Sequence, residues 1–371
     1  MTKKIVIKIG SSTLTTSESK VDYAFLKNIA DQVAQVRDAG WQPVIVTSAA
    51  IACGLEALGI KRRPGDMPSL QAAASVGQNA LTTAYAEAFA PYGILTSIVL
   101  LTRRETADRK SYLHARDTFL RLLELEVVPI VNENDTVSVE QIRFGDNDTL
   151  AALVACLINA DLVVVLSDID GLFDKNPHLY DDARLIPRVE AIDEELISHG
   201  GGAGTTAGSG GMVTKITAAR VLMVAGIEMA ICNGRRKDVL VDAVAGKDVG
   251  TRFAAAAKPH EITPKKLWIA LGDVTKGSLV VDDGAKAALI GQGSSLLSVG
   301  IARVEGLFDE GDIIDIKDRA GHVLARGRVA ASSDELELAC GLTQKALQAN
   351  RLLSGLAHKP VVHRDDLVIF E

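Results

Sequence analysis

Two short β-branched runs near the start of the chain, Ile5-Val-Ile-Lys-Ile9 and Pro43-Val-Ile-Val-Thr47, flank a segment with helical spacing that stops at Gly40. The apolar positions of that segment are Phe25, Ile29, Val33 and Val36. They recur every three or four residues, as on one face of an amphipathic helix. A strand, a helix and a second strand in this order predict parallel pairing of the two strands.

The same alternation continues through the first two thirds of the chain. Further strands are predicted over Leu95 to Leu101, Val127 to Val131 and Leu162 to Leu166, and further helices over Pro68 to Phe89, Leu113 to Leu125, Thr149 to Ile158 and Val213 to Ala225. The strand interiors are almost continuous Val, Ile and Leu, which is typical of strands buried on both faces. The predicted fold class is therefore α/β, with a parallel-rich central sheet sandwiched by helices.

The sequence changes character after a stretch of small residues, Phe253-Ala-Ala-Ala-Ala-Lys-Pro-His260. From Leu267 onward the apolar runs are short, alternate with polar residues and are interrupted by Gly and Asp, as in half-buried strands that begin near Ser278, Gly300 and Asp312. We therefore predict a first domain over residues 1–257, a linker over 258–265 and a small, mostly β domain over 266–371. A length of 371 residues fits two domains.

Composition excludes several classes of protein. An apolar fraction of 47% is too high for a disordered chain. The longest apolar stretch, Leu150 to Leu166, contains Asn159 and Asp161, and Lys8 and Gly10 interrupt the amino-terminal apolar run. These interruptions argue against a membrane span and a signal peptide, so we expect a cytoplasmic protein. The four scattered cysteines form no disulfide or zinc pattern and are expected to be buried and reduced.

Charge disfavours a nucleic-acid partner. The net charge of the chain is -7, and residues 263–371 carry 13 Lys and Arg against 15 Asp and Glu. Affinity for nucleic acid depends largely on cations that contact phosphates. Local basic patches stay possible.

Lys8 is the first candidate functional residue, because it interrupts an apolar strand. A buried cation is costly unless its ammonium reaches water or an anion. In open α/β sheets, ligands bind beyond the carboxyl ends of the strands. Those ends also deliver Ser48, the segment Asn132-Glu-Asn-Asp135, and Ser167 with Asp168.

A glycine-rich loop precedes the last predicted helix of the first domain. Residues 200–211 contain seven glycines and lead into Met212-Val-Thr-Lys215. Glycines let a backbone approach phosphate oxygens, and a helix N-terminus offers free N–H groups. The loop is a phosphate-binding candidate, with a flexible linker as the alternative. It is not a Walker A motif, since no Gly-Lys-Ser/Thr triplet follows the glycines.

Carboxylates and amides are dense in Gly145-Asp-Asn-Asp148 and in Asn132-Glu-Asn-Asp135. Such groups suit a magnesium ion or the ammonium group of an amino acid. Asp148 is equally well placed to cap the helix that follows it. The sequence favours positioning and charge neutralisation over covalent catalysis.

Taken together, these segments resemble the glutamate 5-kinase group of the amino acid kinase family, with a carboxy-terminal PUA domain. The matching stretches in the first domain begin at Ile7, Val44, Ala115, Val128, Phe144, Ser167, Gly210 and Val249, and those in the second begin at Val281, Gly293, Gly306 and Val362. The resemblance covers essentially the whole chain.

The resemblance implies ATP-dependent phosphorylation of the side-chain carboxylate of L-glutamate, the first step of proline biosynthesis. It assigns Lys8, Lys215 and Asp148 to catalysis and Ser48, Asp135 and Asn147 to glutamate. For Asp148 it leaves two roles open, holding the two lysines in place or binding the substrate ammonium. It assigns the nucleotide to Lys8, Ser167, Asp168, Ser209, Gly210, Gly211, Met212, Val213, Thr214 and Lys215. Mg²⁺ would accompany ATP. It also implies feedback inhibition by proline, a homo-oligomer and handover of the unstable product to glutamyl-phosphate reductase.

Ala49 departs from the family pattern, which has glycine at this position, so its backbone conformation matters. Ser167 and Ser209 replace threonine and keep the hydroxyl. Two alternatives stay open. Related enzymes phosphorylate aspartate, N-acetylglutamate, carbamate or nucleoside monophosphates, and PUA domains elsewhere often bind RNA. Against RNA binding, the charge of the second domain favours a role in assembly or regulation.

Overall fold

The computed structural model describes residues 2–16, 20–102, 109–137, 147–177, 179–192, 196, 211–256, 263–271 and 275–370. The chain forms two compact units, residues 1–261 and 262–371. Of the predicted linker over 258–265, residues 258–262 lie outside the described residues. Pro264 already begins a helix of the second unit.

The first unit is built on an eight-stranded sheet. Its strands are β1 (Lys3–Ile9), β2 (Trp41–Val46), β3 (Thr96–Leu101), β4 (Val128–Glu133), β5 (Leu162–Ser167), β6 (Arg188–Val189), β7 (Glu228–Asn233) and β8 (Thr251–Phe253), in the spatial order β3-β4-β2-β1-β5-β7-β8-β6. All neighbours pair in parallel except β7 and β8, which are antiparallel. The sheet is parallel-rich, as predicted.

Helices join these strands. They are α1 (Ser11–Leu14), α2 (Tyr23–Asp38), α3 (Ala50–Ala57), α4 (Met67–Phe89), α5 (Arg109–Glu124), α6 (Asn147–Ile158), α7 (Met212–Val224) and α8 (Val239–Val244), and a 3-10 turn over Ala90–Tyr92 follows α4. The five predicted strands and five predicted helices of this unit are confirmed, with ends that coincide or differ by at most four residues. Helices α1, α3 and α8 and strands β6, β7 and β8 were not predicted.

Strand β1 lies at the centre of the sheet and has two different faces. Ile5, Ile7 and Ile9 pack into a core with α2 on one face. Because successive side chains of a strand alternate, Lys8 projects to the other face, where α6 packs against β1. This alternation brings a buried cation towards α6.

Helices α3 and α4 cross at two glycines. A Cβ on Gly54 would lie 1.7 Å from the carbonyl oxygen of Ala73, and one on Gly77 would lie 1.8 Å from that of Ala50. Only residues without a Cβ permit so close a backbone approach. The crossing fixes α4 against the helix that follows β2.

The second unit contains a five-stranded sheet of β9 (Gly277–Val281), β10 (Ile301–Gly306), β11 (Ile313–Lys317), β12 (Val323–Arg328) and β13 (Leu367–Ile369), in the order β10-β9-β11-β12-β13. Its helices are α9 (Pro264–Leu271), α10 (Asp283–Gln292), α11 (Ser333–Ala339) and α12 (Gln344–Ala349), with 3-10 turns over Ser298–Gly300, Ser354–His358 and Arg364–Asp366. Strands β9, β10 and β11 coincide with the predicted runs. Strands β12 and β13 and all four helices were not predicted.

None of the helices in the described part of the chain is long and apolar enough to cross a membrane. All four cysteines are free thiols. Cys53, Cys156 and Cys232 are buried as predicted, whereas Cys340 is partly exposed. Burial raises the pKa of the Cys53 thiol to about 11 and that of Cys156 to about 12, so both stay protonated near neutral pH.

Candidate active site

The candidate site lies beyond the carboxyl ends of the central strands, where helices α6 and α7 begin. Strand β1 contributes Lys8, α6 contributes Asn147 and Asp148, and the first turn of α7 contributes Lys215. All four residues are buried. Buried polar side chains that come together from distant parts of the sequence are typical of a binding or catalytic site.

Asp148 holds two lysines at once. Its Oδ1 lies 2.6 Å from Lys8 Nζ and its Oδ2 lies 3.0 Å from Lys215 Nζ. The side chain of Asp148 is 0% exposed, and each lysine side chain is 7% exposed. The hydroxyl of Thr214 also reaches Oδ2, at 3.1 Å. The Asp148 side chain therefore binds both lysines.

Electrostatics keep this cluster charged. Burial raises the pKa of Asp148, but the ammonium groups of Lys8 and Lys215 outweigh that effect and hold it well below its usual range. The side chains of Asp148, Lys8 and Lys215 together carry a net charge of +1. A positive charge next to the N-terminus of α7 is suited to a phosphate group.

A second cluster surrounds the side-chain amide of Asn147. Its Nδ2 donates to the backbone carbonyl of Thr47, to Ser48 Oγ at 2.9 Å and to Asn132 Oδ1 at 3.1 Å. These bonds join the ends of β2 and β4 to the start of α6. We call Asn147 and its acceptors the amide cluster, and Asp148 with Lys8 and Lys215 the lysine cluster. Because Asn147 and Asp148 are adjacent, the two clusters meet in one turn of α6.

Asp135 lies apart from both clusters, and its carboxylate contacts neither of them. It lines a cavity of about 280 Å³ together with Gln78 and Asn134, between α4, β3 and the end of β4. Gln78 Oε1 accepts a hydrogen bond from Asn132 Nδ2 at 2.9 Å, which connects the cavity wall to the amide cluster. Burial raises the pKa of Asp135 to about 6, against the lowering effect of Arg63.

The predicted nucleotide residues fall into two described groups. At the end of β5, Ser167 is buried, Asp168 is exposed, and Ser167 Oγ donates to Asp168 Oδ1 at 3.1 Å. At α7, Gly211 is the N-cap residue, followed by Met212, Val213 and Thr214 in the first turn. Ser209, Gly210 and the remainder of the glycine-rich loop lie outside the described residues.

Ala49 adopts the left-handed conformation, with φ 77° and ψ 9°, at the N-cap of α3. Such a conformation costs a residue with a Cβ roughly 1 kcal/mol relative to glycine. Glycine, which the family pattern has at this position, adopts this conformation without a steric penalty. Ala49 has a Cβ and keeps the strain.

We expect Ala49→Gly to raise the free energy of unfolding by about 1 kcal/mol, because glycine adopts this conformation without a steric penalty. Urea denaturation of the two proteins measures the difference. Gly65→Ala, a change on an exposed loop with open space around the added Cβ, is the control and should give little change. A less stable Ala49→Gly protein would contradict this interpretation.

Two residues that support the site were not predicted from the sequence. Tyr85 is fully buried, and its hydroxyl lies 2.8 Å from Thr47 Oγ1. Gln78 contacts Asn132, as described above. Both belong to α4, with Gln78 at its middle and Tyr85 near its C-terminal end, and the sequence alone gives a buried tyrosine no role beyond core packing. Their position seven residues apart, on one helix face, is the only signal that the sequence offers.

The described residues include no group of three or more His, Cys, Asp and Glu side chains that could hold a metal ion. Asp148, the most buried carboxylate of the site, is already shared by two lysines. Mg²⁺ commonly binds through substrate phosphates, one or two carboxylates and retained waters. The donor set therefore fits magnesium that enters with a nucleotide substrate, with Asp168 as the exposed carboxylate beside the end of β5.

Both parts of the chain match known protein families. Residues 3–233 match the model of the amino acid kinase family, and residues 277–351 match that of the PUA domain. The chain is 43% identical over 368 residues to a glutamate 5-kinase of Caldanaerobacter subterraneus subsp. tengcongensis, covering 99% of this chain and 98% of that protein. It is 44% identical over 367 residues to a glutamate 5-kinase of Geobacter sulfurreducens, covering 99% and 97%.

A solved structure has the same fold over about two thirds of the chain. Carbamate kinase from Giardia lamblia bound to AMP-PNP matches with a TM-score of 0.50 and 18% identity, over 68% of this chain and 98% of that one. The high identity to glutamate 5-kinases over almost the whole length, together with both family models, decides the assignment. The chain belongs to the glutamate 5-kinases of the amino acid kinase family, with a carboxy-terminal PUA domain.

Proposed function

We propose that the chain transfers the γ-phosphoryl group of ATP directly to the side-chain carboxylate of L-glutamate. The products are ADP and L-glutamyl 5-phosphate, and the reaction is the first step of proline biosynthesis. The membership of the chain in the glutamate 5-kinases supports the substrates. The observation that carries the mechanism is the pair of buried lysines, Lys8 and Lys215, held by the single carboxylate of Asp148.

The lysine cluster places positive charge where negative charge develops during phosphoryl transfer. In such a reaction the protein mainly positions the reactants and neutralises charge on the phosphoryl oxygens. Lys8 and Lys215 stand on opposite oxygens of Asp148, so their ammonium groups are fixed before substrate arrives. A glutamate carboxylate oxygen attacks phosphorus, the bond to the bridging oxygen of ADP breaks, and no proton transfer is needed.

The amide cluster and Asp135 are assigned to the acceptor amino acid. With Asn147 Nδ2 occupied by neighbouring oxygens, its Oδ1 is the atom that it offers to a ligand. An amide oxygen and the Asp135 carboxylate both suit an ammonium group, and Ser48 Oγ suits a carboxylate. Ser167, Asp168 and residues 209–215 are assigned to the nucleotide. Asp168, the exposed carboxylate at the end of β5, would help to hold Mg²⁺ that arrives with ATP, and the ion would supply further positive charge for the phosphates.

A coupled assay of ADP release tests this function. Wild-type protein with MgATP is given L-glutamate, L-aspartate, N-acetyl-L-glutamate, carbamate or a nucleoside monophosphate in turn. We expect turnover above background with glutamate alone. Turnover with another acceptor and none with glutamate would overturn the proposal.

The raised pKa of Asp135 predicts a pH dependence of glutamate binding. Above pH 6 the carboxylate is ionised and attracts the substrate ammonium. Below pH 6 it binds a proton, so the KM for glutamate should rise about tenfold between pH 7 and pH 5, while the KM for ATP changes less. In Asp135→Asn the KM should be high throughout and lack this dependence. An unchanged profile in the variant would contradict the assignment.

Three further proposals rest on the resemblance to this group of enzymes. Proline inhibits the reaction, copies of the chain associate, and the acyl phosphate product passes to glutamyl-phosphate reductase. The exposed apolar side chains Leu95, Ile98 and Leu100 at edge strand β3 support association. Kinetics with added proline and sedimentation of the purified protein test the first two.

A further inference from the structure

The amide of Asn147 is held by oxygens whose own positions depend on helix α4. Two of its acceptors are the backbone carbonyl of Thr47 and Asn132 Oδ1. Thr47 contacts Tyr85 through its hydroxyl, at 2.8 Å, and Asn132 contacts Gln78 through its Nδ2, at 2.9 Å. The two supports reach Asn147 by separate routes, one from the end of β2 and one from the end of β4.

Gln78 and Tyr85 lie two helical turns apart on the same face of α4. The glycine crossing fixes the position of α4, because Gly77, on a neighbouring face of the helix, packs its backbone against α3. Helix α4 therefore presents two polar groups at a set distance from each other. Each group engages one of the two strands that carry acceptors for Asn147.

The stability of the fold alone does not explain why a glutamine, Gln78, occupies this position of α4. Its Nε2 is buried and has no hydrogen-bond partner among the described residues. A buried donor without a partner costs free energy, so this half of the Gln78 amide opposes folding. The Oε1 atom, by contrast, accepts the bond from Asn132 that places Asn132 Oδ1 near Asn147.

We propose that Gln78 and Tyr85 are positioning residues that hold the Asn147 amide, and thereby set the affinity for the acceptor amino acid. The inference rests on the proposed function, in which Asn147 Oδ1 binds the acceptor. Neither residue touches the lysine cluster in the described structure. Their loss should therefore weaken acceptor binding and leave phosphoryl transfer and nucleotide binding intact.

The test compares Gln78→Met and Tyr85→Phe with wild type in steady-state kinetics. Each variant loses one side-chain hydrogen bond. We expect the KM for glutamate to rise roughly fivefold in each, with kcat and the KM for ATP within about twofold of wild type. Gln35→Met and Tyr92→Phe remove surface contacts to Asp31 and serve as matched controls with unchanged constants.

A double-mutant cycle tests the route through Thr47. Thr47→Val removes the hydroxyl that contacts Tyr85 but keeps the backbone carbonyl that binds Asn147. If Tyr85 acts through this hydroxyl, Tyr85→Phe combined with Thr47→Val should raise the KM for glutamate no more than the larger single change. Fully additive effects on the KM would show that the two residues act independently, against the proposal.

Two results of the single variants would overturn the inference. One is an unchanged KM for glutamate in both variants. The other is a joint loss of kcat, of both affinities and of Tm, which would indicate general disruption. Failure of the proposed function gives a different result, because the wild-type protein itself would then show no glutamate-dependent release of ADP.

Discussion

Asp148→Asn is expected to lower the free energy of unfolding by about 3–5 kcal/mol and to abolish glutamate phosphorylation. The substitution keeps the shape of the side chain but removes the negative charge between Lys8 and Lys215. Two buried ammonium groups would then face a neutral amide, and both desolvation and mutual repulsion would oppose folding. Urea denaturation at pH 7 measures the loss of stability, and ADP release measures the loss of activity.

The control for Asp148→Asn is Asp242→Asn. Asp242 also binds two cations, Arg236 at 3.5 Å and Lys247 at 2.7 Å, but its partners are largely exposed. Surface ion pairs contribute less than about 1 kcal/mol, so this variant should stay close to wild type. Equal losses in the two variants would contradict the special role of the buried cluster.

The pH dependence of stability follows from the depressed pKa of Asp148. A carboxyl whose pKa is lower in the folded state contributes stability above its unfolded pKa, near 4, and loses it as the pH falls through the folded value. The difference between wild type and Asp148→Asn should therefore be full at neutral pH and shrink in strong acid. A difference that grew as the pH fell would contradict the assigned ionisation.

Gly77→Ala is expected to destabilise the first unit by at least about 3 kcal/mol. The added Cβ would meet the carbonyl oxygen of Ala50 at 1.8 Å and the amide nitrogen of Gly54 at 2.3 Å. Both are backbone atoms, so α3 and α4 must move apart. Gly54→Ala should behave in the same way, because its Cβ would meet Ala73.

Gly291→Ala is the matched control for the helix crossing. Gly291 also lies within a helix, α10, but nothing is within 4 Å of the added Cβ. Alanine is the better helix former, so this variant should gain roughly 0.5–1 kcal/mol. Thermal denaturation of Gly77→Ala, Gly54→Ala and Gly291→Ala measures the Tm of each variant. A Gly77→Ala protein with the Tm of Gly291→Ala would show that the helices do not cross as described.

The sequence was sufficient to predict the central strands and the amphipathic helix α2. Their patterns are local: continuous β-branched runs for buried parallel strands, and the spacing of Phe25, Ile29, Val33 and Val36 for the helix. Helix α3 escaped prediction because Ala50–Ala57 is short, rich in small residues and contains Gly54. Strands β6 and β8, of two and three residues, are too short to show a period.

Site residues could be predicted where their type is unusual for the surrounding sequence. Lys8 interrupts an apolar strand, and Lys215 follows a run of glycines, so both were identified as cations for a phosphate. The pairing of both with Asp148 depends on the sheet order β1-β5-β7 and on where α6 and α7 pack. Gln78 and Tyr85 are ordinary residues for a helix such as α4, so only the tertiary structure reveals their contacts.

The central claim is that a pair of lysines, held in place by one carboxylate, stabilises the transferring phosphoryl group. Its most direct test is the kcat of Lys215→Met for glutamate-dependent ADP release at saturating MgATP and glutamate. Asp148 keeps Lys8 as a partner in this variant, so the protein should stay folded. Lys175→Met, which breaks a surface ion pair with Asp182, is the control. We predict a fall in kcat of about 10³-fold with a Tm near that of the control. Turnover near the wild-type value would contradict it.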